Sequence, residues 1–223
     1  MAARLPLGDA KPPSAYAHAL RKAYPIYNQL SEVTVGPGSY AQAPNFSHQF
    51  KSANGQWSVT LKNNALVLEA ARYSTYADLR ARLEVALAAA LPVIDTDFFT
   101  RIGLRCINVL KTSGTQMAEW VNPDLVAPLR KLLFVGMADY GGRLQVIAPD
   151  GGLLLQHGLS HKPGREATGA TADVPDYLID IDGFRSEVAA TDVVVAVDRI
   201  HEQVFQLFDW AIGPSAREYL ASS

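Results

Sequence analysis

Apolar residues recur every four positions at Leu79, Leu83, Leu87 and Leu91, with Tyr76 and Ala90 beside them. That spacing gathers side chains on one face of an α-helix and predicts an amphipathic helix there. Thr75 stands where the N-cap belongs, Asp78 follows three residues on, and Pro92 marks the expected end. A second helix is predicted over about 191–212, with Val193, Val197, Ile200, Val204, Leu207, Phe208 and Ala211 as its buried stripe and Gly213-Pro214 as its stop. Its start, Val193-Val194-Val195, is β-branched and locally favours a strand. Shorter helices are expected over Tyr16 to Ala23, ending before Pro25, and over Pro123 to Lys131.

Alternation with period two marks the strands. Glu32-Val-Thr-Val35 reads as a first strand, stopped by Gly36-Pro37-Gly38. Trp57 to Leu61 and Ala65 to Ala71 flank Lys62-Asn63-Asn64, a hairpin whose turn is expected to use the tolerance of Asn for positive φ. Strand 101–110 places Ile102, Leu104, Cys106 and Leu110 on one face and Arg101 and Arg105 on the other. Leu132 to Tyr140, Arg143 to Ala148 and Gly152 to Ser160 read as a meander with turns at Gly141-Gly142 and Pro149-Asp150-Gly151. Residues 161–175 read as a long polar loop, and Tyr177 to Asp182 as a further strand. The pattern predicts an α+β fold, a mostly antiparallel sheet of about eight strands packed by two long helices. Residues 1–14 are expected to form a flexible leader and 15–223 a single domain, with no evident linker between two cores.

Composition narrows the function classes. A net charge of -2 gives no global footprint for nucleic acid. The single cysteine, Cys106, forms no internal disulfide and fits a reducing compartment. No apolar run reaches the length of about 18 residues that a membrane span needs, and no signal peptide is visible, so the expectation is a soluble, cytoplasmic protein.

Candidate chemistry is sparse. Asp180 and Asp182 lie two apart on a strand, so both carboxylates share a face at roughly 7 Å. Such a pair can hold Mg²⁺ or divide into acid and base. Arg101 and Arg105 also share a strand face, so the plainer reading is a polar sheet face of two ion pairs. A ligand-binding or catalytic pocket built from the same four residues is the alternative. His157 and His161 have metal-pair spacing only on a helix, but Gly158 lies between them and exposed loop histidines are the expectation. His201-Glu202 begins a zincin-like motif that lacks its second His. Cys106 falls on the apolar face of its strand, where a thiol is inert. There is no serine-hydrolase elbow, P-loop or dinucleotide fingerprint, so no catalytic residue, metal or cofactor is assigned. For nucleic acid, the candidates are Arg72, Arg80 and Arg82, interleaved with Tyr73 and Tyr76, and the loop residues Lys162 and Arg165.

Two segments carry a family resemblance. Arg72-Tyr-Ser-Thr-Tyr76, then a helix, then Arg101-Ile-Gly-Leu-Arg-Cys-Ile-Asn108 resemble the TIGR04255 family, sporadically distributed bacterial proteins without an assigned chemistry. Asp180-Ile-Asp182 and a last helical region with His201-Glu202, ending in Glu218-Tyr219-Leu220, agree with it. The four charged residues of the candidate face match the family's recurring positions. Patchy occurrence implies an accessory role, such as a component of a mobile-element or phage-defence system. The leading expectation is a non-enzymatic interaction or regulatory module that binds a protein partner. The charged pocket is the first alternative, and a nucleic-acid-binding subunit of a larger complex is the second.

Overall fold

The computed structural model describes residues 11–32, 45–111, 117–130, 139–160 and 176–222. The expectations for 1–10, 33–35, 132–138 and 161–175 fall outside them, as do His161, Lys162 and Arg165. The chain divides into two compact units, 1–97 and 98–223, and both are α+β with antiparallel sheets.

In the first unit, helix α1 (Ser14–Leu20) buries Tyr16 and Leu20. Strands β1 (Ile26–Glu32), β2 (Asn45–Lys51), β3 (Trp57–Leu61) and β4 (Leu66–Ala70) follow one another across an antiparallel sheet. The register aligns Tyr27 with Phe50, Phe50 with Val59 and Val59 with Leu68, which makes one face apolar. Tyr16 packs edge-on against Phe50 on that face, with ring centroids 5.5 Å apart. The first strand therefore starts at Ile26, earlier than the expected Glu32. Strand β2 has no counterpart in the sequence reading, because Asn-Phe-Ser-His-Gln-Phe-Lys offers polar residues on both faces.

The 57–71 hairpin forms as expected, but neither Asn63 nor Asn64 has positive φ. A bond from the Lys62 N–H to the Ala65 carbonyl, 2.8 Å, closes the turn without one. Helix α2 (Tyr76–Ile94) starts where Thr75 accepts a hydrogen bond from the Asp78 N–H at 3.2 Å. Pro92 does not end it. A proline in the last turn forfeits one backbone bond, and Asp95, left-handed at φ 47, closes the helix by donating to the Leu91 carbonyl. The buried positions are Ala86, Leu87, Ala89, Ala90 and Ile94, with Leu79, Leu83 and Leu91 half-buried.

The second unit holds strands β5 (Phe98–Leu110), β6 (Gly141–Ala148), β7 (Gly151–Ser160) and β8 (Asp176–Ala189) in the order β5-β8-β7-β6, all antiparallel. Gly141-Gly142 is part of β6 and not a turn. Helix α3 (Met117–Trp120) is short, and over its described part, 123–130, the helix expected at 123–131 is a series of turns with one 3₁₀ turn at Pro128–Arg130. Pro128 disfavours the α region at Ala127 and lacks the N–H an α-helix would use.

Helix α4 (Val193–Ala211) buries Val193, Val197, Ile200, Val204 and Ala211, with Leu207 and Phe208 partly covered. Its valine-rich first turn is helical, because burial on the sheet outweighs the β preference. Helix α5 (Pro214–Ser222) opens on a proline at its first position. The core joins Tyr177, Ile179 and Ile181 of β8 and Leu155 of β7 to Ile200 and Val204 of α4. Gly183 extends the same row. A Cβ there would lie 2.7 Å from Ile200 Cγ2 and 2.9 Å from Val204 Cγ2, so the helix rests directly on the strand backbone.

Gly183→Ala is expected to cost about 1–3 kcal/mol, the usual range for overpacking a filled core. A lowered urea midpoint with an unchanged m-value is the expected signature. An unchanged midpoint would mean that the contact yields at no cost.

Candidate functional site

The buried row on β8 (Tyr177, Ile179, Ile181, Gly183) turns Asp180 and Asp182 to the opposite face. Strand β5 pairs with β8 so that Arg105 lies across from Asp182 and Ile107 from Asp180. The side chains then lean diagonally. Arg105 makes a two-pronged pair with Asp180, Nε to Oδ1 at 2.9 Å and Nη2 to Oδ2 at 2.6 Å. Arg101 Nη2 reaches Asp182 Oδ2 at 2.8 Å. The structure thus joins all four residues that the sequence singled out.

The two pairs differ in environment. The Asp180 side chain is 8% exposed and that of Arg105 is 58% exposed, so the guanidinium covers the carboxylate. Hydrogen bonding to Asp180, then its charge, pushes the Arg105 pKa above its ordinary value. In the other pair both partners are accessible. Arg101 also stacks on the Phe184 ring, 4.9 Å from its centroid. Gly103 makes this possible: a Cβ there would stand 3.0 Å from the Arg101 guanidinium. Gly152 plays the same part for Phe184, whose ring carbons would lie 3.2 Å from a Cβ. The glycine inside Arg-Ile-Gly-Leu-Arg has a steric purpose that spacing alone did not reveal.

Chemically, the arrangement holds two carboxylates whose oxygens face guanidinium groups and offers cationic edges outward. Among the described residues, no three of His, Cys, Asp and Glu are grouped to hold a metal ion. Cys106 lies on the core side of β5, and burial, followed by the charge of Asp180, pushes its thiol pKa up. His201 stacks on Phe205 at 6.3 Å, and burial lowers its pKa against the opposing pull of Asp198 and Glu202.

His157 differs from its expectation as an exposed loop residue. It is buried on β7, and its Nδ1 lies 2.6 Å from the Tyr177 hydroxyl. Gly142, directly across on β6, leaves the imidazole its space, since a Cβ would fall 2.3 Å from Nε2. The sequence signal was the glycine, which the turn reading absorbed. His157 borders an open cleft of about 440 Å³ with Asp139, Tyr140, Arg143 and Gln156, and none of the four charged residues lines it. Of the nucleic-acid candidates, Arg80 pairs with Glu84 at 2.6 Å and Arg82 with Asp78 at 2.9 Å, each within α2. Arg82 also lies over Trp57, 4.7 Å from the ring centroid. Arg72 is exposed.

Arg105→Ala removes the two-pronged, charge-assisted pair with Asp180 and is expected to cost about 1–3 kcal/mol. Arg101→Ala, in an accessible pair, is expected to cost under about 1 kcal/mol. Urea unfolding of both variants measures the difference, and equal losses would contradict the asymmetry.

Burial holds the His157 pKa below its ordinary 6.5. The unfolded chain then binds more protons as pH falls through that value, so the contribution is fully present above pH about 6.5 and is lost toward the folded-state pKa. Stability measured from about pH 8 to 5 should fall less steeply in His157→Gln than in the wild type. A residual slope of the same sign is expected from His201.

Comparison with protein-family models, with curated proteins and with solved structures gave no match.

Proposed function

We propose that this chain is a non-enzymatic module that binds a protein partner through the outer face of the β5-β8-β7-β6 sheet. One observation carries the reading. On that face Arg101, Arg105, Arg143, Gln145, Ile147 and Gln156 are all exposed, while the one buried carboxylate is already paired. Within this unit α4 packs on the opposite face, through the row that contains Gly183. Ile147, 78% exposed, and Ile107, 59% exposed, add apolar contact area beside the guanidinium groups. Exposed Arg next to exposed aliphatic side chains is the composition of a contact surface.

The mutual pairing of the four charges supports binding over acid–base work, because neither carboxylate stands alone. The pairing of Arg80 and Arg82 within their own helix leaves them poorly placed for phosphate. The single cysteine supports a reducing compartment, and we place the protein in the cytoplasm. Membership of the TIGR04255 family, and with it an accessory role in a mobile-element or defence system, belongs to the same proposal and rests on the motifs quoted above.

The test is affinity purification of the tagged chain from its native host, with and without nuclease, beside the double variant Arg143→Glu/Ile147→Asp. Both positions are exposed, so the variant should fold with an unchanged thermal midpoint. A stoichiometric protein that survives nuclease and is lost with the variant is the expected result. Wild-type chain that comes down alone would sink the reading and move attention to small ligands of the charged face. Recovery that depends on nucleic acid, and weakens steeply from 50 to 200 mM salt, would replace it with a nucleic-acid subunit.

A further inference from the structure

Strand β5 lies at one edge of its sheet, and among the described residues β8 is the only strand hydrogen-bonded to it. It is 13 residues long, a span of about 43 Å. Natural edge strands are usually blunted by proline, charged side chains (lysine above all), a bulge, shortness or a covering helix or loop. Phe-Phe-Thr-Arg-Ile-Gly-Leu-Arg-Cys-Ile-Asn-Val-Leu has no proline or lysine, and its two arginines are drawn to Asp182 and Asp180. Its register with β8 is the same on either side of one interruption at Thr100, across from Glu187 at φ 54.

The core is closed at β8 and open at β5. Tyr177 and Ile181 on β8 are fully buried, whereas Leu110 and Cys106, their neighbours across the ladder, are only partly covered, like Ile102 and Leu104. The helix above leaves the same side open. Gln203, on one flank of α4, is held by Arg185, which also reaches Asp150 in the turn between β6 and β7. His201 and Phe205 lie on the other flank, toward β5, about 200° round the helix from Gln203 in the case of Phe205. Phe205 is 59% exposed there.

We propose that this edge joins two copies of the chain, β5 against β5 in antiparallel pairing about a two-fold axis at Leu104. The edge is self-complementary. With the axis at Leu104 all thirteen residues pair. Phe98 meets Leu110 of the second copy, Phe99 meets Val109, Ile102 meets Cys106 and Leu104 meets itself. Arg101 lies beside Ile107, and Arg105 lies over Gly103. Moving the axis by one residue fails in either direction. An axis at Gly103 opposes Arg101 to Arg105, and an axis at Arg105 opposes that residue to itself, and like charges directly across a ladder repel.

The area also suffices. A strip of about 43 Å by about 20 Å, strand plus helix flank, gives roughly 850 Å² per copy, close to the standard of about 800 Å² a side for a stable interface. An isologous contact of this kind closes on itself and forms no fibre. The inference shares Arg101, Arg105 and Ile107 of β5 with the proposed partner-binding face, but it rests on the strand edge and the α4 flank, and its variants leave Arg143 and Ile147 unchanged, so the two readings fail separately.

Sedimentation velocity of the full chain from 1 to 100 µM tests it, with a species at twice 24.2 kDa expected. Ile107→Arg, which would face Arg101 of the second copy, should weaken the dimer at least tenfold while the circular dichroism spectrum stays the same. Val195→Arg adds the same charge at an exposed position of α4 on the side away from the sheet and should leave the dimer intact. Leu104→Cys in a Cys106→Ser background should form a reducible cross-link under mild oxidation, and Cys106→Ser alone should not. A monomer across the whole range overturns the proposal. So does a dimer that Ile107→Arg leaves as tight as the wild type, or one that Leu104→Cys does not cross-link.

Discussion

Helix α4 rests on β8 where Gly183 has no side chain, and most of the second unit follows from that contact. A strand alternates its side chains strictly, so fixing Gly183 inward also fixes Tyr177, Ile179 and Ile181 inward. Asp180 and Asp182 are then turned outward with no further choice. Slipping the strand by one residue would bury both carboxylates and expose three large apolar side chains, each worth about 1.5–3 kcal/mol in burial. The helix that seals the core therefore also selects the face on which the charges appear. Arg185 supports the seat from one side by joining the β6–β7 turn, through Asp150, to Gln203 of α4.

The outer face is ordered by small residues as much as by charge. Gly103 lets Arg101 lie flat, Gly152 gives room to Phe184, and the guanidinium of Arg101 then stacks on that ring. Arg105 covers Asp180 so closely that the carboxylate is nearly removed from water. A buried acid with one exposed cation over it makes a rigid anchor, and the free edge of the guanidinium remains for contact. Chemistry that requires a free carboxylate is poorly served by such an arrangement. The proposed partner-binding role rests on this arrangement.

Both sheets contain a tyrosine–histidine pair set diagonally across neighbouring strands. Tyr27 and His48 stack at 6.1 Å in one, and His157 and Tyr177 at 6.0 Å in the other, each with a hydroxyl at hydrogen-bond distance from Nδ1. The pairs allow an imidazole to be buried in each sheet at a position where a wholly apolar residue would have been expected. In the second unit Tyr177 and Tyr140 continue the network to the Leu125 carbonyl, at 3.4 and 2.6 Å. This ties the turn region after α3 to the end of the sheet.

Local periodicity alone determined the elements that have one dominant face. The stripe of α4, the Thr75 cap of α2, the 57–71 hairpin and the alternation of β5 were all legible, because each is a property of residues close in sequence. So was the pairing of Arg101 and Arg105 with Asp180 and Asp182, since same-face spacing and opposite charge leave few arrangements on antiparallel strands. Tertiary structure decided what depends on distant partners. Strand β2 has too few apolar residues to announce itself and forms because β1 and β3 flank it. Gly141-Gly142 has turn composition, yet it is held in β6 by the ladder with β7 and makes room for His157. The diagonal choice that gave Asp180 to Arg105, and so buried one carboxylate and left the other accessible, came from the register between two strands some seventy residues apart. No local pattern carries that register, because it is set by which face α4 covers.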